Sequence, residues 1–86
     1  MSVHETHPEI IRHLKRAHGH LAKVIAMLEA EKECMLVAQQ LLAVESAVIK
    51  AKKALIRDHV EHCLDDAMKS GSAGALREFK EITKYL

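Results

Sequence analysis

The segment from Glu33 to Lys69 contains neither glycine nor proline, and this constrains the fold more than any other feature of the sequence. Apolar residues recur through it at helical spacing, which predicts one helix of about 35 residues, roughly 50 Å long. A helix of that length cannot bury its apolar side against one shorter helix, so it needs a partner. The simplest partner is a second copy of the chain in an antiparallel dimer. The alternative is a helical hairpin whose second helix breaks near Lys50–Lys53.

A first helix is predicted over about residues 8–30. Thr6-His7-Pro8-Glu9 is typical of a helix start, because Thr6 can act as the cap and proline is tolerated in the first turn. Leu14, Leu21 and Leu28 then recur every seven residues, which indicates an amphipathic helix.

The Ser70–Gly74 segment predicts a linker, with Ser72 capping a third short helix over about residues 75–85. The 86 residues are therefore expected to form one all-α domain, residues 1–86, built as a three-helix subunit with one long central helix. A lone core of this size is marginally stable, and association would add the missing burial.

Composition narrows the functional classes. The formal net charge is +1, so nucleic-acid binding would need local basic patches. No apolar run approaches the length needed to cross a membrane, and Met1–Pro8 is polar rather than typical of a signal peptide, so no membrane partner is expected. The two cysteines then suggest a reducing, cytoplasmic setting. No nucleophile–base pair with a third orienting group is recognisable, which argues against an enzyme.

His59 and Cys63 are four residues apart, so on a helix they share one side and can present an imidazole nitrogen and a thiolate to one ion. Cys34 lies 25 residues before His59, about 37 Å along a continuous helix, which is too far for a shared ion within one chain. In an antiparallel dimer, Cys34 of one subunit would approach His59 and Cys63 of the other. His62 competes with His59 but points about 100° away from Cys63. The simpler interpretation is that both cysteines are small buried hydrophobes and the histidines are surface residues.

The sequence resembles the CsoR/RcnR family of small all-helical bacterial repressors over nearly its whole length. The resemblance is carried by "RHLKRAHGHLAKVIAML" (Arg12–Leu28), "ECMLVAQQLLAVESAV" (Glu33–Val48) and "LIRDHVEHC" (Leu55–Cys63). It implies antiparallel dimers that pair into tetramers, operator DNA as the partner, and an effector site that bridges subunits. Effector binding in the family lowers the affinity for DNA.

The resemblance leaves the effector open between Ni(II) and Cu(I). The Cys34, His59 and Cys63 set is similar to the copper(I) sensors, where soft thiolates suit Cu(I). A fourth ligand from the amino-terminal segment, His4 or His7, would give a set similar to the nickel sensors. Glu33 replaces the tyrosine of the copper sensors, so nickel is slightly preferred. A thiol-based persulfide or formaldehyde sensor of the same fold remains an alternative, although His59 favours metal.

Basic residues of the first two helices are the candidate DNA contacts. The resemblance implies such a role for residues of both helices, and the second-helix set falls at i, i+3 and i+7 along one side. A metal storage or chaperone bundle would have no need for this stripe, and a solvated charged surface is the simplest alternative. The candidate residues are Arg12, Lys15, Arg16, Lys50, Lys53 and Arg57.

Overall fold

The computed structural model describes residues 6–71 and 73–86, without the side chains of Cys63, Ala67 and Ser70. Within these residues the chain is all-α and contains no strand. It forms α1 (His7–Glu29), α2 (Cys34–Ser70), α3 (Ala73–Ile82) and a terminal 3-10 turn (Thr83–Tyr85). The extents are 56 × 23 × 14 Å, so the length of α2 sets the length of the molecule.

The 37 residues of α2 are one continuous helix, which confirms the predicted long central helix and excludes a break near Lys50–Lys53. The predicted linker is shorter than expected, because α2 continues to Ser70 and α3 begins at Ala73. Gly71 has a positive φ of 64°, the left-handed conformation that ends many helices at a glycine. The predicted cap Ser72 lies outside the described residues.

The start of α1 differs from the predicted capping arrangement. Thr6 occupies the N-cap position, but its side chain makes no capping hydrogen bond. Its backbone is helical, with φ −86° and ψ −12°, whereas side-chain capping usually requires an extended N-cap residue. The Thr6 carbonyl instead accepts a 3.1 Å hydrogen bond from the Ile10 backbone N–H.

The turn between α1 and α2 is a Schellman motif without its usual glycine. The Lys32 N–H donates to the Met27 carbonyl at 3.0 Å, and the Glu31 N–H donates to the Leu28 carbonyl at 3.0 Å. Glu31 therefore occupies the left-handed position, with φ 57°, where glycine is normally preferred because a Cβ is unfavourable there.

α1 and α2 pack as an antiparallel hairpin along two heptad stripes of mostly small residues. Seven-residue spacing keeps such a stripe facing its partner helix. The buried positions of the two stripes are Ile10, Ala17 and Val24 on α1 and Val37, Val44, Ala51 and Asp58 on α2, and Ile56 of α2 is buried outside them. At mid-length, His20 Nε2 and Gln40 Oε1 form a 2.6 Å hydrogen bond across the hairpin.

The leucine heptad of α1 lies outside this core. Leu14, Leu21 and Leu28 are 43%, 40% and 56% exposed. α2 also carries exposed leucine, valine and isoleucine side chains, so the single chain leaves a large apolar surface uncovered. The surface area of 6745 Å² exceeds the value of about 5,100 Å² expected for a compact monomer of this mass.

The segment Cys34–Asp66 of α2 is long and apolar enough, by length and composition, to cross a membrane. The prediction that no apolar run approaches such a length was therefore wrong. The prediction considered only uninterrupted apolar stretches. The finding depends instead on hydropathy averaged over a window, which can be high although the window contains a few polar residues. Core helices of soluble proteins meet the same criterion, so the finding is weak evidence for a membrane. Only 17% of the window is buried in the single chain, in keeping with the uncovered apolar surface.

Candidate functional site

Cys34 and His59 lie far apart on the same straight helix. Cys34 is the first residue of α2, and its thiol is free and exposed. His59 follows after about seven turns, roughly 37 Å along the axis, and Cys63 is one turn further in the same helix. Metal–ligand bonds are about 2.0–2.3 Å long, so Cys34 cannot share an ion with His59 of its own chain.

An exposed apolar stripe runs along α2 between Cys34 and His59. Starting from Cys34, the seven-residue spacing places Leu41, Val48 and Leu55 on one side of the helix, and each is 41–44% exposed. His59 follows Leu55 by one turn on the same side. The two halves of the candidate site therefore flank an apolar surface that the chain itself does not cover.

Among the described side chains, no three from His, Cys, Asp and Glu lie close enough together to hold a metal ion. The donor types nevertheless fit a soft or borderline ion, because Cys34 supplies an accessible thiol and the His59 side chain is 35% exposed. Thiolate and imidazole ligands suit Cu(I) and Ni(II). The described part of one chain thus offers suitable donors but not a complete ligand set.

Glu78 of α3 approaches His59, with Oε2 lying 4.0 Å from His59 Nε2. A carboxylate beside the second ring nitrogen is a common way to orient a ligating imidazole. Glu78 was not predicted from the sequence, because no local signal shows that α3 folds back toward this turn of α2.

Asp58 follows Ala51 by seven residues in the buried heptad of α2 and is only 8% exposed. Its carboxylate lies between two histidines, with Oδ2 3.8 Å from His7 Nε2 and Oδ1 3.6 Å from His62 Nε2. Asp58 therefore ties the start of α1 to α2. His62 faces this carboxylate, which agrees with the choice of His59 as the candidate ligand.

Of the two candidate amino-terminal ligands, the structure describes only His7. His7 lies at the same end of the hairpin as His59 but contacts Asp58, which lies on the α1 side of α2. The role of His7 as a ligand stays a prediction. His4 lies outside the described residues.

All six candidate DNA contacts are exposed. Arg16 and Lys50 line the same groove between α1 and α2, which has a volume of about 560 Å³. Its floor is formed by small side chains, including Ala47 and Ala51. The structure therefore brings together two basic residues from different helices that only the family resemblance had connected.

The Lys50, Lys53 and Arg57 stripe stays on one side of α2 but divides between two grooves. Lys50 faces the α1 groove, whereas Lys53 lines a second groove between α2 and α3. Arg57 lines the second groove and also a separate cleft that includes Thr6 and Asp58. Arg12 and Lys15 are exposed and line neither groove.

Comparison with known proteins identifies the family. The family model described as "metal-sensitive transcriptional repressor" matches residues 6–86. The chain is 34% identical over 76 residues to the copper-sensing transcriptional repressor CsoR of Mycobacterium ulcerans, covering 87% of this chain and 65% of that protein. It is 33% identical over 81 residues to CsoR of Bacillus subtilis, covering 88% of this chain and 80% of that protein.

The copper-sensing transcriptional repressor RicR of Mycobacterium tuberculosis is 33% identical over 64 residues, which cover 74% of this chain and 67% of that protein. The chain thus spans about two thirds of the length of the mycobacterial relatives it matches. No solved structure matches it significantly. The relatives are repressors rather than enzymes, as the sequence predicted. The match over nearly the whole chain and the all-helical architecture together show that this chain belongs to the family of metal-sensitive transcriptional repressors.

Proposed function

We propose that this protein is a copper-responsive repressor that binds operator DNA without metal and releases it when Cu(I) binds between two subunits. Cys34 of one subunit and His59 with Cys63 of another would hold the ion. The observation that carries the proposal is the placement of Cys34 and His59 at opposite ends of one exposed apolar stripe on an unbroken helix.

The spacing along α2 gives this pairing a specific register. In an antiparallel pair, residues equally distant from the two-fold axis face each other. With the axis at Val48, Leu41 faces the partner's Leu55, since each lies seven residues from Val48. Cys34 lies fourteen residues before Val48 and is then level with position 62 of the partner, between its His59 and Cys63. One register thus covers the apolar stripe and assembles both metal sites.

The exposed area supports association. The chain exposes about 1,600 Å² more than a compact monomer of its mass, in keeping with its elongated shape. A standard interface covers about 800 Å² on each partner, so the uncovered surface is large enough for the proposed antiparallel interface. The family resemblance implies that such dimers pair into tetramers.

The relatives support copper as the effector. The three described above are named copper-sensing repressors, and two thiolates with one imidazole suit Cu(I). The slight preference for nickel depended on Glu33 and on a fourth amino-terminal ligand, His4 or His7, and of these two histidines His7 lies 3.8 Å from Asp58. Ni(II) is therefore the comparison ion, and the persulfide and formaldehyde alternatives rank below both metals.

The proposed response links the metal site to the DNA surface through dimer geometry. Cu(I) would fix the relative position of two subunits, and with it the spacing between the Arg16 and Lys50 pairs of those subunits. The ion then lowers DNA affinity only if it binds the DNA-free geometry more tightly than the DNA-bound one. Each half of the proposal, metal binding and DNA binding, is separately measurable.

Subunit complementation tests the shared site. Cys34→Ala and His59→Ala should each abolish high-affinity Cu(I) binding, measured anaerobically against a colorimetric Cu(I) chelator. A heterodimer of the two variants contains one doubly damaged site and one intact site. After unfolding and refolding an equal mixture, random pairing should restore about a quarter of the wild-type capacity.

The control is the same refolding of Cys34→Ala with Cys34→Ser, which cannot form an intact site and should restore nothing. Absence of any restoration in the Cys34→Ala and His59→Ala mixture, despite verified heterodimers, would contradict the inter-subunit site. Repeating the titration with Ni(II) ranks the two candidate ions.

A further inference from the structure

A second groove lies between α2 and α3, and neither Cys34 nor His59 lines it. It has a volume of about 430 Å³, which lies within the usual range for small-molecule sites. Val60 of α2 and Phe79 of α3 form its apolar surface over the buried Ile56, which is 3% exposed, and Thr83 and Leu86 complete one end. Phe79 is the only phenylalanine in the chain.

Two cations border this apolar surface. Lys53 and Arg57 are one turn apart on α2, and both are exposed. In the part of the chain that the structure describes, neither forms an ion pair, and no acidic side chain lines the groove. An apolar concavity with a positive rim is complementary to a molecule that carries an apolar body and a single negative end.

We propose that this groove binds an amphipathic carboxylate, specifically a free medium-chain fatty acid of about ten carbons. The hydrocarbon tail would lie against Ile56, Val60 and Phe79, and the carboxylate would lie between the Lys53 ammonium and the Arg57 guanidinium. Arginine provides paired donors that match a carboxylate, and lysine adds a second charge.

Given the proposed function, the site would also give the repressor a second regulatory ligand besides the metal ion. Lys53 and Arg57 are candidate DNA contacts, and a carboxylate between them would neutralise charge that otherwise faces phosphate. Fatty acid and DNA would therefore compete for the same two cations without involving Cys34, His59 or Cys63.

Binding is tested on the full-length, metal-free protein without DNA, so failure of the repressor proposal leaves the measurement valid. Sodium decanoate below its micellar concentration is the probe, followed by equilibrium dialysis and by ¹H–¹⁵N chemical-shift changes. We expect saturable binding of one decanoate per chain. Across hexanoate, octanoate and decanoate, each added methylene should tighten binding about threefold to fourfold.

The double variant Lys53→Gln, Arg57→Gln should weaken decanoate binding at least tenfold, and neutral 1-decanol should bind wild-type protein correspondingly weakly. Lys52→Gln is the matched control, because Lys52 is an exposed neighbour that does not line the groove, and it should bind decanoate like wild type. Helical content and oligomeric state of each variant establish that it is folded.

Three results would overturn the proposal. One is the absence of saturable decanoate binding, and another is equal binding by the double variant and wild type. The third is binding to phosphatidylglycerol vesicles without binding to free decanoate, which would assign the groove to a lipid surface instead.

Discussion

Cys34 and His59 lie on the same side of α2 but about 37 Å apart along its axis. Their separation of 25 positions is close to seven complete helical turns, so the two donors point in nearly the same direction from opposite ends of the stripe. With the proposed ligands, a single chain would carry two half-sites, and the proposed antiparallel pair would contain two complete sites.

A cysteine at the proposed two-fold axis should cross-link the dimer. In a background with Cys34→Ser and Cys63→Ser, Val48→Cys should form a disulfide-linked dimer under mild oxidation, because the two copies of residue 48 meet at the axis. Leu42→Cys is the control: residue 42 is 63% exposed, but its two copies would lie about 18 Å apart along the axis, beyond disulfide reach. Non-reducing electrophoresis measures both, and equal cross-linking by the two variants would show that the register is wrong.

Arg16→Ala and Lys50→Ala should each weaken DNA binding several-fold, because the two residues line the same groove and would contact phosphates. The slope of log affinity against log salt concentration should fall by about one for each phosphate that the variant no longer neutralises. Fluorescence anisotropy with duplex DNA from upstream of the protein's own gene provides the measurement. Lys84→Ala is the control, since Lys84 lies in the terminal 3-10 turn and pairs with Glu81 at 3.2 Å. An unchanged slope in both groove variants would argue against this surface, and unchanged Cu(I) binding is expected throughout.

Asp58→Ala should lower the free energy of unfolding by about 1–2 kcal/mol, because it removes the buried carboxylate that contacts His7 and His62. Asp65→Ala is the matched control: Asp65 is exposed and pairs with Lys69 at 3.6 Å in an i,i+4 arrangement, and such surface pairs contribute less than about 1 kcal/mol. Urea denaturation at one fixed chain concentration compares them, since the stability of an oligomer depends on concentration. Equal losses in the two variants would mean that Asp58 does not connect the helices energetically.

Glu31→Gly should raise the free energy of unfolding by about 0.5–1 kcal/mol. Glu31 has a left-handed φ of 57°, which is unfavourable for a residue with a Cβ and readily adopted by glycine. Ala30→Gly is the control, because Ala30 has φ −86° and gains nothing from glycine, so it should be neutral or destabilising. Thermal denaturation by circular dichroism distinguishes them, and a lower midpoint for Glu31→Gly than for wild type would contradict this account of the turn.

The helices themselves were predictable from the sequence, because helical spacing and the absence of glycine and proline are local properties. It was harder to predict which residues form the buried stripe of the hairpin. α1 carries two apolar heptads, one beginning at Ile10 and one at Leu14, and periodicity alone cannot say which of them the hairpin buries. The smaller set is buried in the hairpin, and the leucines remain exposed. The Glu31 turn also lacks the glycine that usually marks such a position.

The candidate site was predictable only in part. The separation of Cys34 and His59 follows directly from helix continuity, and therefore so does the need for a second chain. The contacts of Glu78 with His59 and of His7 with Asp58 depend on how α3 and the start of α1 pack on α2. Such tertiary contacts leave no local pattern in the sequence.

The small side chains in the core of the hairpin have a consequence for the metal concentration at which the proposed sensor would respond in the cell. With alanine at two of its central positions, Ala17 and Ala51, a solitary subunit has little to stabilise it, so folding and assembly are expected to be coupled. A binding site divided between two polypeptides then exists only in the assembled fraction. The threshold at which such a sensor responds would therefore depend on its own copy number as well as on the supply of the ion.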